Sequence, residues 1–175
     1  MAEKYRYSKK LESPEEILRR WLANNKARYG INNDYSYCMK DKKWYYFTNE
    51  AYMVYRDQLK RESFPRPRES KETQVLASRI KRYDVGNTYQ LKLPTIDEVL
   101  NLIYDISDET KRRHLTTRPI WDFGEGLPAV NARHLRDMMG LFADTGVVVM
   151  CGTERDPIYF YALKQEGLLY PVRKF

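Results

Sequence analysis

The chain has 175 residues, of which 42% are hydrophobic and 14% aromatic, and it carries a formal net charge of +7. This composition supplies a packed core and excludes wholesale disorder, while no window approaches the roughly 18 apolar residues that a membrane span requires. The polar start MAEKYRYSKK is unlike a secretory signal, so we expect a cytoplasmic protein with no membrane partner.

The N-terminal third of the chain predicts a helix, a hairpin and a second helix. Ser13 as the N-cap and Pro14 at the first helical position begin a helix over PEEILRRWLANNKARY, and Gly30 ends it. The segments YSYCM and WYYFT then flank the charged turn KDKK, as expected of a β-hairpin. Thr48 or Asn49 caps the second helix, which is predicted over EAYMVYRDQLKRE.

The middle of the chain predicts a linker, a basic helix and a short strand. Two prolines within SFPRPRES break the periodic pattern and indicate an extended connection. In SKETQVLASRIKRYDVG the apolar residues Val75, Leu76 and Ile80 have helical spacing, and TYQLKL alternates as a strand does. An alternative role for the helix over 70–83 is dimerisation, so a homodimer is one of the expected assemblies.

From Pro94 onward the sequence predicts three helices followed by a hairpin. TIDEVLNLIYDI begins with Thr95 as its cap and has Glu98 three residues later, which is the spacing of a capping box. A shorter helix is predicted over HLTTRPIWDF, and a third over 128–143, within GLPAVNARHLRDMMGLFADTG. The β-rich runs GVVVMCG and PIYFYAL, separated by the polar turn TERD, predict a second hairpin.

The order of these C-terminal elements resembles the winged helix-turn-helix superfamily, in particular ArsR/MarR-like regulators. HLTTRPIWDF is similar to the start of the second helix, GEGLPAVNARHLRDM to the turn and recognition helix, and TGVVVMCGTERDPIYFYAL to the wing. The resemblance covers residues 94–165 and implies a helix that enters the major groove of DNA. Three departures are a recognition helix about one turn longer than usual, a wing tip that carries acidic residues, and the absence of the metal-sensing cysteine motif of some ArsR-type repressors, so no response to metal is predicted.

The sequence therefore predicts a mainly α fold with small β-hairpins (α+β), in which a winged helix-turn-helix follows an N-terminal helix–hairpin–helix unit. The predicted divisions are a basic, tyrosine-rich unit over 1–64, a linker and basic helix over 65–93, the winged-helix domain over 94–165 and a tail over 166–175.

The distribution of charge favours two functional units. Residues 1–94 hold 21 Lys/Arg and 12 Asp/Glu, a balance of +9, whereas residues 95–165 hold 8 Lys/Arg and 11 Asp/Glu, a balance of −3. Attraction for a polyanion is therefore expected mainly in the first half of the chain.

The predicted helix over 128–143 has two distinct faces. Leu135, Met138 and Phe142 fall on one side, towards the core, and Arg133 and Arg136 fall on the other. The resemblance places these arginines in the major groove, where they would contact guanines or phosphates, although arginines on an exposed face also serve only for solubility. The candidate nucleic-acid-binding residues are Arg133, Arg136, Asn131, Arg118, Arg112, Arg113, Lys40, Lys42 and Lys43.

The three candidate lysines lie at the turn of the N-terminal hairpin, next to Trp44, Tyr45 and Tyr46. Positive charge interleaved with flat rings suits phosphate contacts with base stacking, or an acidic protein partner. The alternative is a solvated turn above aromatic residues that are buried in a small core.

Motifs of catalysis and of metal binding are weak. The segment His114-Leu115-Thr116 provides half of a His-x-Thr pair, but Leu135-Arg136 after His134 breaks the second half. The chain has no P-loop or dinucleotide fingerprint, and its two cysteines lie far apart. We therefore predict no enzyme, no metal and no cofactor.

The leading hypothesis is a DNA-binding protein, a transcriptional regulator whose partner is double-stranded DNA. One alternative is a protein-interaction adaptor, of viral or mobile-element origin, that uses the winged helix as a docking module. The other is a single-strand or RNA binder that acts through the N-terminal half.

Overall fold

The computed structural model describes residues 12–29, 37–40, 43–48, 52–56, 89–113, 118–143, 146–163 and 165–174. The helices in these ranges are α1 (Pro14–Tyr29), α2 (Ile96–Arg113) and α3 (Ala132–Leu141). The strands are β1 (Tyr37–Lys40), β2 (Lys43–Thr48), β3 (Tyr52–Arg56), β4 (Tyr89–Gln90), β5 (Ile120–Asp122), β6 (Ala129–Asn131), β7 (Val148–Cys151), β8 (Ile158–Ala162) and β9 (Gln165–Leu169).

A seven-stranded antiparallel sheet is the main element of the fold. Its strand order is β1-β2-β3-β9-β8-β7-β4, and β5 and β6 form a separate two-stranded sheet. The prediction of a mainly α fold is therefore wrong. The sheet joins strands of the predicted unit over 1–64 to strands near the C-terminus, and β9 includes the first four residues of the predicted tail.

The largest error of secondary structure concerns β3, which was predicted as the start of a helix. Its sequence YMVYR satisfies helical spacing over a few residues, but tyrosine and valine also favour a strand that packs in a sheet. In the structure, β3 pairs along its whole length with β9, and four of its five residues pair with β2 on the other side. Residues 57–62 of the predicted helix, the linker and the basic helix that follows lie outside the described residues.

The region of the expected helix-turn-helix also differs from the prediction. Within HLTTRPIWDF, the residues of β5 are a strand, which pairs with β6 through Trp121 and Val130. Gly124 and Gly126 have positive φ values of 120° and 71° in the turn that joins the two strands, a conformation that favours glycine. Because β6 occupies the first residues of the predicted 128–143 helix, α3 begins only at Ala132.

Other predicted elements are confirmed, and each depends on local signals. The β1–β2 and β7–β8 hairpins form, and α1 begins at Pro14 as predicted. At the start of α2, the Glu98 amide donates a hydrogen bond to Thr95 Oγ1 (3.3 Å) and the Thr95 amide donates to Glu98 Oε2 (2.7 Å). This reciprocal pair is the predicted capping box.

The core lies between the three described helices and one face of the large sheet, here called the inner face. Leu135, Met138 and Phe142 are buried, as their helical spacing predicted. The ring of Phe142 lies 5.5 Å from that of Phe160, which projects from β8 on the inner face. α1 adds Ile17, Leu18 and Trp21 to the same cluster.

A buried carboxylate joins α1 to α3. Asp137 is 3% exposed, and both of its oxygens accept hydrogen bonds from Arg20, at 2.6 and 3.0 Å. The Trp21 indole nitrogen donates to Asp137 Oδ2 at 3.0 Å, and Arg136 Nη2 donates to Oδ1 at 2.9 Å. Two arginines and an indole thus replace the water that this carboxylate has lost.

We expect Asp137→Ala to lower the free energy of unfolding by about 3 kcal/mol, because it leaves two guanidinium groups without their buried partner. Burial would raise the pKa of Asp137, but the hydrogen bonds and charge of Arg20, with the charge of Arg136 and the Trp21 hydrogen bond, together hold the pKa below its usual value. The contribution of ionised Asp137 to the stability of the folded protein is therefore present above the unfolded-state pKa of about 3.9 and is lost as the pH falls below it. Urea denaturation at neutral pH measures the loss, with the exposed Glu154→Ala as the matched control. Equal stability of the two variants would contradict this role.

Candidate nucleic-acid interface

Two of the predicted arginines lie together at the start of α3. Ile120 of β5 pairs with Asn131 of β6, and one residue further on the Ala132 amide donates a hydrogen bond to the Pro119 carbonyl at 2.9 Å. This continued pairing brings Arg118 beside the first turn of α3, where Arg133 lies. Both residues are exposed. Neither guanidinium group makes an ion pair with an acidic residue in the part of the chain that the structure describes.

The pKa of His134 is affected by the positive charge of this region. Burial is the main cause that lowers its pKa, to about 4, and Asp137 partly opposes the shift. The charges of Arg118, Arg20 and Arg133 lower the pKa further. His134 is consequently neutral at physiological pH, and the local positive charge belongs to the arginines.

Arg136, by contrast, is held by the protein itself. Its side chain is 14% exposed, and its Nε and Nη2 atoms donate to Asp137 Oδ1 at 3.3 and 2.9 Å. The helical wheel placed Arg136 on a solvent face because the packing of α1 against α3 is not visible in the sequence of α3 alone. Arg20 and Trp21 were not identified from the sequence as partners of Asp137. The available signal was Asp137 itself, an acidic residue next to the apolar face of the helix.

Asn131 stabilises the start of α3. It is the N-cap of α3, and its Oδ1 accepts a hydrogen bond from the Arg133 amide at 3.0 Å. This contact satisfies one of the amides that a helix leaves unpaired at its N-terminus. The predicted contact of Asn131 with a base or a phosphate stays a prediction.

The remaining candidates are not brought to this place by any described contact. Arg112 and Arg113 are the last two residues of α2, and their side chains lie outside the described part. Lys40 pairs with Lys43 where the β1–β2 hairpin turns, and Lys42 lies outside the described residues. β1 is at the edge of the sheet, three strand positions from β9, the strand against which α3 packs.

Comparison with protein-family models, with curated proteins and with solved structures finds no match. The resemblance to winged-helix regulators therefore stays a prediction. None of the helices in the described ranges is both long enough and apolar enough to cross a membrane. Within the same ranges, no three His, Cys, Asp or Glu residues are grouped so that they would hold a metal ion.

We expect stability to fall between pH 6.5 and about 4.5 because of His134. Its folded pKa of about 4 lies below the unfolded value of about 6.5, so in this range the unfolded state binds a proton that the folded state does not. The loss should approach about 2 kcal/mol, measured by urea denaturation at a series of pH values. His134→Gln should flatten this part of the profile, whereas His114→Gln, which changes the other histidine, should not. An unchanged profile in His134→Gln would contradict the assignment.

Proposed function

We propose that this protein binds DNA through phosphate contacts made by Arg118 and Arg133. The observation that carries the proposal is that two exposed arginines, next to the hydrogen-bonded Pro119 and Ala132 at the positive end of α3, have no acidic partner among the described residues. Two cations without acidic partners near a helix N-terminus attract anions, because the positive end of the helix dipole adds to their charge. The phosphate groups of DNA supply such anions in a regular row.

The burial of α3 favours contacts with the DNA backbone over the reading of bases. Six of its residues are buried, and Arg136 is bound to Asp137. Arg133 is its one exposed residue, so the helix offers no continuous polar surface to a major groove. Phosphate contacts position a protein on DNA but carry no sequence information directly. We therefore propose affinity that depends strongly on salt and weakly on sequence.

Two further observations support this proposal. The whole chain has a net charge of +7, which favours association with a polyanion, although this charge comes from residues 1–94 and the range 95–165 that holds Arg118 and Arg133 has a balance of −3. Cys151 is buried as a free thiol, which suits a reducing compartment and supports the cytoplasm as the proposed location.

The test is a salt titration of binding to a labelled DNA duplex. Each of Arg118→Ala and Arg133→Ala should reduce the slope of log K against log salt by about 0.9, because each removes one phosphate contact. In the double variant the slope should be reduced by about twice that amount. Arg155→Ala is the matched control, since it removes the same charge from an exposed residue in the β7–β8 turn.

Two results would overturn the proposal. One is a double variant that keeps the slope and affinity of the unmodified protein. The other is a loss of binding when Lys40, Lys42 and Lys43 are replaced by alanine while Arg118 and Arg133 are intact, which would place the nucleic-acid surface on the N-terminal hairpin. Two unrelated duplex sequences of equal length should bind with similar affinity.

A further inference from the structure

The face of the large sheet opposite the helices, here called the outer face, carries tyrosines around one carboxylate. On β8 the side chains of Ile158, Phe160 and Ala162 are buried in the core, so Tyr159 and Tyr161 belong to the outer face. Tyr161 pairs with Glu166 of β9, which places that carboxylate on the same face.

The Glu166 carboxylate is held by hydroxyl groups. The Tyr45 hydroxyl donates to Glu166 Oε1 at 3.1 Å, and the Tyr159 hydroxyl donates to Oε2 at 2.8 Å. Glu166 is only partly exposed, and no Lys or Arg within the described ranges pairs with it. This contrasts with Asp137, whose charge is compensated by two arginines. A carboxylate accepts about four hydrogen bonds, so Glu166 retains acceptor capacity for a further donor.

An exposed aromatic ring lies beside this carboxylate. The ring of Tyr161 is stacked on that of Tyr159, with centroids 6.2 Å apart and planes at 27°, and Tyr161 remains 51% exposed. Val148, which pairs with Tyr161 from β7, is 38% exposed, and Leu163 after β8 is 91% exposed. The ring is therefore fixed on one side and open on the other, with apolar groups around it.

We propose that this place, formed by Tyr159, Tyr161 and Glu166, binds an arginine side chain of a partner protein. A guanidinium group is planar, so it stacks on the Tyr161 ring while its N–H groups donate to Glu166. The negative charge of Glu166 is complementary to this cation and repels the phosphates of a nucleic acid. An arginine is favoured over a lysine because an ammonium group is more strongly hydrated and does not stack.

Binding of a fluorescent peptide to the full chain tests the proposal. The probe is Gly-Ser-Arg-Gly-Ser-Arg-Gly-Ser, compared with the same peptide in which citrulline, a neutral isostere, replaces each arginine. The citrulline peptide should bind at least about tenfold more weakly, because it lacks the charge that strengthens hydrogen bonds to Glu166. A lysine version should also bind more weakly than the arginine peptide.

Variants of the protein locate the site. Glu166→Gln keeps one acceptor oxygen for a tyrosine hydroxyl and offers an amide N–H to the oxygen of the other, but it removes the charge, and it should weaken binding of the arginine peptide about tenfold. Tyr161→Ala should weaken it about threefold, whereas Tyr161→Phe keeps a ring and should retain the affinity. Tyr89→Ala is the matched control, because Tyr89 is a 68% exposed tyrosine on the edge strand β4. Thermal melting of each variant verifies that it is folded.

Several outcomes would overturn the proposal. These are no binding of the arginine peptide, equal binding of the citrulline peptide, and folded Glu166→Gln protein with unchanged affinity. A fourth is a single-stranded oligothymidine that binds and loses affinity in Tyr161→Ala but not in Glu166→Gln, which would assign the exposed ring to base stacking. Because Arg118 and Arg133 lie outside this site, duplex binding is measured separately and its result does not decide this one.

Discussion

The pairing of Asp137 with Arg20 is the constraint on which the helical layer depends. A charged carboxylate is stable in the core only when its partners approach it in a fixed geometry, so α1 has one position against α3 in which both the apolar contacts and the hydrogen bonds are made. The indole of Trp21 takes part in both, since its ring belongs to the core and its nitrogen reaches Asp137. Replacement of the pair by apolar residues would keep the burial but remove this restriction.

The buried Asp137 gives the two arginines of α3 different roles. Arg136 compensates a buried charge, and Arg133, only three residues earlier, is left to solvent. Six residues of α3 are buried and Arg133 is its one exposed residue, so the proposed contact of α3 with nucleic acid is confined to its first turn. Arg118 matters because the β5–β6 pairing, and not the helix, brings it there.

Most local elements could be predicted from the sequence, and the pairing of distant strands could not. Capping residues and helical spacing defined α1 and α2, and two aromatic or valine-rich runs around a polar turn defined each hairpin. β9, with the sequence QEGLL, has little strand propensity of its own, and it is a strand because β3 and β8 hydrogen-bond to it on both sides. Among the candidate site residues, the exposure of Arg133 could be predicted, because helical spacing places it opposite the core residues of α3. The partners of Arg136 and of Glu166 depend on tertiary contacts that no helical or strand period encodes.

The central position of β9 also affects how the protein folds. Tyr52 of β3 pairs with Leu169 of β9 in the sheet, so these neighbouring strands are separated by most of the chain. Contacts between such distant segments slow folding, because a long loop must close before they form. During synthesis, β3 leaves the ribosome well before its partner exists and exposes an unpaired strand edge in the interval. The β1–β2 and β2–β3 pairs, which join strands close in sequence, are the parts of the sheet that can form first.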